Sequence, residues 1–402
     1  MAKLKKWDIF CNVVDNFGDI GVCWRLACNL AERGQSVRLW VDDVSPLAWM
    51  APTGHAHVEV IDCKNNDFIS LKQHLKDGKY TLGNVLIDTF DCEFAINLIA
   101  AEATDTPATD INSTIFEKNR PVWLNLEYLT AESFAERAHT LPYVHHSGAA
   151  QGWTQRYFYP GFNDRTGGLL RETDLFERQK AFDRDAWLAN LNAETTGEVS
   201  DHSFDEVIKS KLSSSQLISL FCYEPAALES LIDQLAASKT PTCLLVTAGR
   251  ATNAVKAVLE GKKRLQSAYL LPKVLSILYL PQLTQTDYDY LLWSCDLNFV
   301  RGEDSLVRAI WAAKPFIWQI YPQHDGVHRA KLAAFLEMMD APASLKTAHA
   351  AWNAATDDST LSEFELTTCL PVWLESAQDL SNRLRLQTDL TSNLIAFAEK
   401  NG

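Results

Sequence analysis

The chain has 402 residues, 47% of them hydrophobic and 22% charged, a balance that excludes a largely disordered protein and, at this length, predicts two or three domains. Lys and Arg number 37 against 51 Asp and Glu, so the net charge is -14. Such a surface repels phosphate backbones and argues against nucleic-acid or anionic-membrane binding.

In chain order, the segment WDIFCNVV (7–14) is a compact run of strand formers and DNFGDIG (15–21) is loop chemistry. VCWRLACNLAERG (22–34) predicts a helix, with Val22, Leu26 and Leu30 on one face and Gly34 as its stop, and SVRLWVDD (36–43) predicts a second strand. Strand, turn, helix and strand in so short a span is a βαβ unit, which calls for a parallel sheet. Further strands are expected at 57–63, 84–90 and 121–129, so residues 1 to about 170 read as one doubly wound domain. The polar stretch 172–215 predicts a linker plus a helix. Strand rhythm then restarts at 216–224, 242–249, 276–281, 297–300 and 315–322, with helices between, which is a second α/β domain. The remainder is helical by periodicity, ending in an amphipathic helix LSNRLRLQTDLTSNLIAFAEKN (380–401). The nine cysteines form no CxxC pair, which disfavours a zinc ribbon and reads as reduced thiols of a cytoplasmic protein. The first residues lack the apolar core of a signal peptide, and no apolar run approaches the roughly 18 residues needed to span a bilayer.

Open parallel sheets bind ligands outside the carboxyl ends of their strands, so two loops stand out by position. The first holds Asp15, Asn16, Phe17, Gly18 and Asp19. It is not the dinucleotide fingerprint, because carboxylates stand where a pyrophosphate needs bare backbone. Asp19 could serve only as a helix cap. Together with Asp15 it could instead hold a cation or act as a general base. The second loop is Arg301-Gly302-Glu303-Asp304-Ser305, between a strand and a helix. Its glycine permits a tight turn whose first N–H groups can meet a diphosphate, with the Ser305 hydroxyl as a further donor. The bland alternative is an acidic first helical turn favoured by the macrodipole. Tyr223, Tyr279 and Gln282 follow strands and could stack and read a nucleobase, although a tyrosine there is also ordinary packing. Tyr321 and Gln323 precede His324 and His328, whose spacing fits a zinc pair only on a helix with a third ligand, so no metal is expected. The tandem His145-His146 is expected to be solvated.

The segments DNFGDIGVCWRLA, VRLWVDD, WLNLEYL, GGLLRE and RGEDSLVRAIWAAKPFIWQIYPQ resemble the bacterial EarP family, protein-arginine rhamnosyltransferases that modify elongation factor P. The resemblance runs from about residue 7 to 332. It implies a GT-B fold, two Rossmann-like domains facing across a cleft. Residues 1–175, completed by the C-terminal helix from about 380, would bind the acceptor, and 176–380 the donor. It further implies inverting transfer of L-rhamnose from dTDP-β-L-rhamnose to one arginine of elongation factor P, which then relieves ribosomes stalled at polyproline. No metal cofactor, nucleic acid or membrane is implied. The family's acidic residues fall on Asp15, Asp19 and Glu303, with Asn16, Phe17 and Gly18 in the acceptor loop. Its donor positions fall on Tyr223, Tyr279, Gln282, Arg301, Gly302, Asp304, Ser305, Tyr321 and Gln323, with Tyr279 standing where relatives use Phe. On this reading Asp19 is the general base, Asp15 orients the acceptor arginine and Glu303 positions sugar or guanidinium. The competing readings are another GT-B enzyme with a different nucleotide sugar or a small acceptor, a non-catalytic sugar-nucleotide scaffold, and an NAD-dependent oxidoreductase, which lacks its glycine fingerprint.

Overall fold

The computed structural model describes residues 5–13, 17–63, 81–90, 92, 96, 99, 120–148, 150–191, 194–195, 212–265, 271–321, 326–354 and 366–402. The chain divides into two compact units, residues 1–175 with 386–402, and residues 176–385.

The first unit is built on β1 (Lys6–Cys11), β2 (Ser36–Val41), β3 (Val58–Asp62), β4 (Val85–Thr89), β5 (Val122–Leu126), β6 (Pro142–Val144) and β7 (Thr154–Phe158). They form a seven-stranded sheet in the order β3-β2-β1-β4-β5-β7-β6. All neighbours are parallel except β6, which runs against β7. Parallel strands covered on both faces read as continuous apolar runs, and β4 and β5 are buried along their whole length. Charge that enters this core is held by strong hydrogen bonds. Asp8 and Arg38 are register partners on β1 and β2, joined by two bonds of 2.6 and 2.7 Å, with Trp40 Nε1 and the Gly83 N–H also donating to the Asp8 carboxylate.

The first helix, α1, spans Gly18–Glu32 and starts four residues earlier than the apolar periodicity suggests. An acidic Asp19 in its first turn favours the positive helix end and offsets the poor helix propensity of the two flanking glycines. Gly34 stops it at φ +79°. Ile20, Cys23, Leu26, Ala27 and Leu30 pack on the sheet in one core with Leu390, Leu394 and Ala398 of the last helix, Leu390–Asn401. That helix is separate from Leu366–Arg385, so the single amphipathic helix expected from 380 is two helices, one in each unit. The break comes at Asp389, whose side chain caps the new helix by accepting the Ser392 N–H at 3.0 Å. Gly168, at φ +78°, lies where a Cβ would collide with the Thr388 carbonyl, so the paired glycines of GGLLRE permit this docking.

The second unit carries β8 (Glu194–Thr195), β9 (Gln216–Leu220), β10 (Thr242–Val246), β11 (Leu275–Tyr279), β12 (Leu297–Arg301) and β13 (Phe316–Gln319), in the order β13-β12-β9-β10-β11-β8. Only β8 is antiparallel. The stretch expected to be a linker plus a helix contains two short helices, Leu175–Ala181 and Arg184–Ala189. Beneath the sheet edge, His349 is fully buried: its Nε2 accepts the Trp318 N–H and its Nδ1 faces the Leu345 carbonyl, both at 3.0 Å. No helix among the described residues is long and apolar enough to cross a membrane.

Candidate active site

Strand order reverses once in each sheet. In the first unit the reversal lies between β1 and β4, and in the second between β9 and β12. The crevice at the carboxyl side of such a reversal is where open α/β sheets bind ligands. Both of the loops singled out by sequence follow a strand that flanks a reversal.

In the first unit Asp19 lies buried in the first turn of α1. It is not the N-cap, which is Phe17, so the capping role does not explain it. Its negative charge helps push the neighbouring Cys11 thiol well above the usual range, after the hydrogen bond with Cys23 and burial. Phe17 is exposed and packs edge-on against Trp49 at 5.2 Å. The strand-end loop is anchored from outside, the Val13 N–H donating to Asp42 at 2.9 Å. Asp15 and Asn16 lie outside the described residues. The helix behind Asp19 is held by the GGLLRE segment: Glu172 pairs with Arg25 at 3.3 Å, and the Arg171 carbonyl accepts from Asn29 at 2.8 Å. His145, expected to be solvated, instead stacks flat on Trp123 with ring centroids 4.7 Å apart, while His146 is exposed.

In the second unit the helix after β12 begins at Gly302, inside the stretch read from sequence as a loop, so Glu303 and Asp304 occupy its first turn. Gly302 takes φ +68°, which a side chain disfavours. The Trp318 indole N–H fixes the Gly302 carbonyl at 2.8 Å. Ser305 closes the turn on itself: its hydroxyl donates to the Arg301 carbonyl and accepts the Arg301 N–H. The hydroxyl proton read from sequence as a ligand donor is therefore used by the backbone. Glu303 pairs with Lys331 at 2.6 Å, a partner that sequence reasoning missed.

Arg301 is the centre of this cluster. It is only 8% exposed, its guanidinium lies 4.6 Å from the Phe221 ring and 4.4 Å from the Tyr223 ring, and its Nε and Nη1 have no hydrogen-bond partner. A buried guanidinium with two unmet donors is costly unless an anion completes it. The Tyr223 N–H is pinned to Gln319 at 2.8 Å, and its ring meets Tyr321 edge-on at 5.7 Å. Tyr223 and Tyr279 are both buried, and the Lys256 ammonium lies 4.9 Å from the Tyr279 ring, whose burial pushes the phenol up to about 12. Of the three tyrosines only Tyr321 presents an exposed ring, and Gln282 lies exposed in the loop after β11. Gln323 and His324 lie outside the described residues. Among the described residues no three His, Cys, Asp or Glu side chains are grouped to hold a metal.

The comparisons with known proteins give the family and the fold. The family described as Elongation-Factor P (EF-P) rhamnosyltransferase EarP matches residues 7–399. The protein-arginine rhamnosyltransferase of Pseudomonas aeruginosa is 38% identical, covering 98% of this chain and 99% of its own. That of Neisseria meningitidis serogroup B is 30% identical over 98% of this chain and 96% of its own. A solved structure reported as the structural basis for EarP-mediated arginine glycosylation of EF-P superposes with a TM-score of 0.59 at 28% identity, covering 99% of this chain and 100% of that one. Arabidopsis thaliana UGT89C1 in complex with UDP, 10% identical, covers 98% of this chain and 99% of its own with a TM-score of 0.51, a likeness of fold alone. With two Rossmann-like parallel sheets, the chain has the GT-B fold of these proteins.

Proposed function

The chain belongs to the EarP family and is a protein-arginine rhamnosyltransferase; from that premise we propose that it transfers L-rhamnose from dTDP-β-L-rhamnose to an arginine of elongation factor P, inverting the anomeric centre, in the cytoplasm. The observation that carries the donor half is Arg301, buried at the sheet reversal with two donors unmet.

The chemistry sets what the remaining residues must do. A guanidinium has a pKa above about 12 and almost no nucleophilicity while protonated. Attack therefore requires a carboxylate that grips the guanidinium fork and takes a proton as the C–N bond forms. Asp19 is assigned that role, since it is buried at the first sheet's reversal and is not used as the helix N-cap. Asp15 orients the acceptor arginine. The attacking nitrogen approaches the anomeric carbon on the face opposite dTDP. As the diphosphate departs, Arg301 and the N–H groups at 303–305 take up its charge. Glu303, held by Lys331, positions the sugar. Tyr321 offers the exposed ring for the base, and Tyr223, Tyr279, Gln282, Asp304 and Gln323 are assigned further donor contacts. No metal is required in this scheme.

The test is the intact mass of elongation factor P after incubation with this protein and dTDP-β-L-rhamnose. A gain of one deoxyhexose localised to an arginine is expected. No gain, from a folded protein that binds dTDP, refutes the acceptor and redirects the search to other acceptors.

A further inference from the structure

Arg250, at the start of the helix Arg250–Leu265 that follows β10, belongs to no motif read from the sequence. Its guanidinium lies 4.9 Å from the Tyr223 ring, the same ring that Arg301 approaches to 4.4 Å. Two cations thus share one aromatic platform at the carboxyl end of β9. Glu224, the residue after Tyr223, faces Arg250 with both oxygens, one bond being 2.7 Å and the other shorter. Arg250 and Arg301 both act to lower the Glu224 carboxyl, and all three charges act on the buried Cys222 thiol, so they form one local cluster. Both partners of the Glu224 pair are exposed, at 42% and 54%, and an exposed ion pair contributes little and exchanges readily.

We propose that Arg250 is a second donor-binding arginine, and that Glu224 is its resting counter-ion, displaced when a nucleoside diphosphate arrives. This rests on the donor reading above. Glu224 presents to Arg250 the same two-oxygen face that a phosphate presents, so the exchange conserves a bidentate pairing. It also places a negative charge in competition with the ligand, which gives the two members of the pair opposite effects on affinity.

The experiment is calorimetric titration of the full-length protein with dTDP, for wild type, Arg250→Gln, Glu224→Gln and the double variant. Arg250→Gln is expected to weaken dTDP about tenfold, the loss of one charge-assisted bidentate contact. Glu224→Gln is expected to tighten it about threefold by removing the competitor. The double variant should match Arg250→Gln, because without Arg250 there is nothing for Glu224 to occupy. Equal weakening by both single variants marks a structural pair and overturns the proposal, as does no shift in either. If wild type fails to bind dTDP, the donor reading itself fails. The same four proteins titrated with inorganic pyrophosphate then decide the exchange: opposite shifts uphold it, and parallel or absent shifts overturn it.

Discussion

Acidification tests the second unit through His349. The ring is fully buried, with Nε2 accepting the Trp318 N–H and Nδ1 donating to the Leu345 carbonyl. Only the neutral Nδ1–H tautomer satisfies both, because a proton on Nε2 would face the Trp318 N–H. Burial accordingly holds the imidazole down at about 4, against 6.5 for an ordinary histidine. The unfolded chain takes up the proton first, so this contribution is complete above pH 6.5 and is lost as pH falls towards 4. At about 1.4 kcal/mol per pH unit the loss approaches roughly 3 kcal/mol. For a unit of this size that is roughly 6–12 °C of melting temperature. Trp318 also fixes the Gly302 carbonyl, so dTDP affinity should weaken over the same window. The assay is thermal unfolding from pH 7 to 4.5 of wild type and His349→Gln, whose amide does not titrate. Wild type should lose its melting temperature more steeply than the variant. Identical slopes would refute the reasoning, since every other titrating group, including His139 of the first unit, is common to both proteins.

Asp19→Asn should reduce rhamnosyl transfer by about 10²–10⁴-fold, the usual worth of a general base, with circular dichroism and dTDP affinity unchanged. Gly302→Ala places a side chain at φ +68°, costing about 1–2 kcal/mol, and should weaken dTDP binding measured by calorimetry. Arg308 and Asp289 form a two-bond pair at 2.8 and 2.7 Å, each 1% exposed. Arg308→Leu should therefore cost about 3–5 kcal/mol in urea unfolding, while Arg308→Leu with Asp289→Leu recovers most of it. Equal losses in the single and double variants would contradict the desolvation argument.

The parallel strands were legible because burial on both faces leaves a short, mainly apolar run, as in the VLI of VLIDT and the VWL of VWLNL. The β6–β7 hairpin was not, since Pro142–Val144 is short and exposed and carries no such signature. The start of α1 was hidden by Gly18 and Gly21, residues that local propensity assigns to a turn and tertiary packing of Ile20 assigns to a helix. The gap between the last two helices had a readable signal in Asp389 three residues before Ser392, a cap pattern embedded in a run of helical periodicity. In the site, the position of Arg301 at a strand end before glycine was visible. Its two unmet donors, the Lys331 partner of Glu303 and the Arg250 partner of Glu224 were not, because each depends on which elements the fold brings together.

The return of the chain to its starting unit bears on synthesis. The core of the first unit includes Leu390, Leu394 and Ala398, and Lys5 closes on the Ala398 carbonyl at 2.6 Å. A ribosome makes the chain from the amino end, and domains fold as they are completed. The second unit, 176–385, is a single continuous stretch and needs no residue made later to complete its sheet. The unit that begins first is thus the one that finishes last: the unit bearing Asp19 cannot close its core until Leu390, Leu394 and Ala398 have been made.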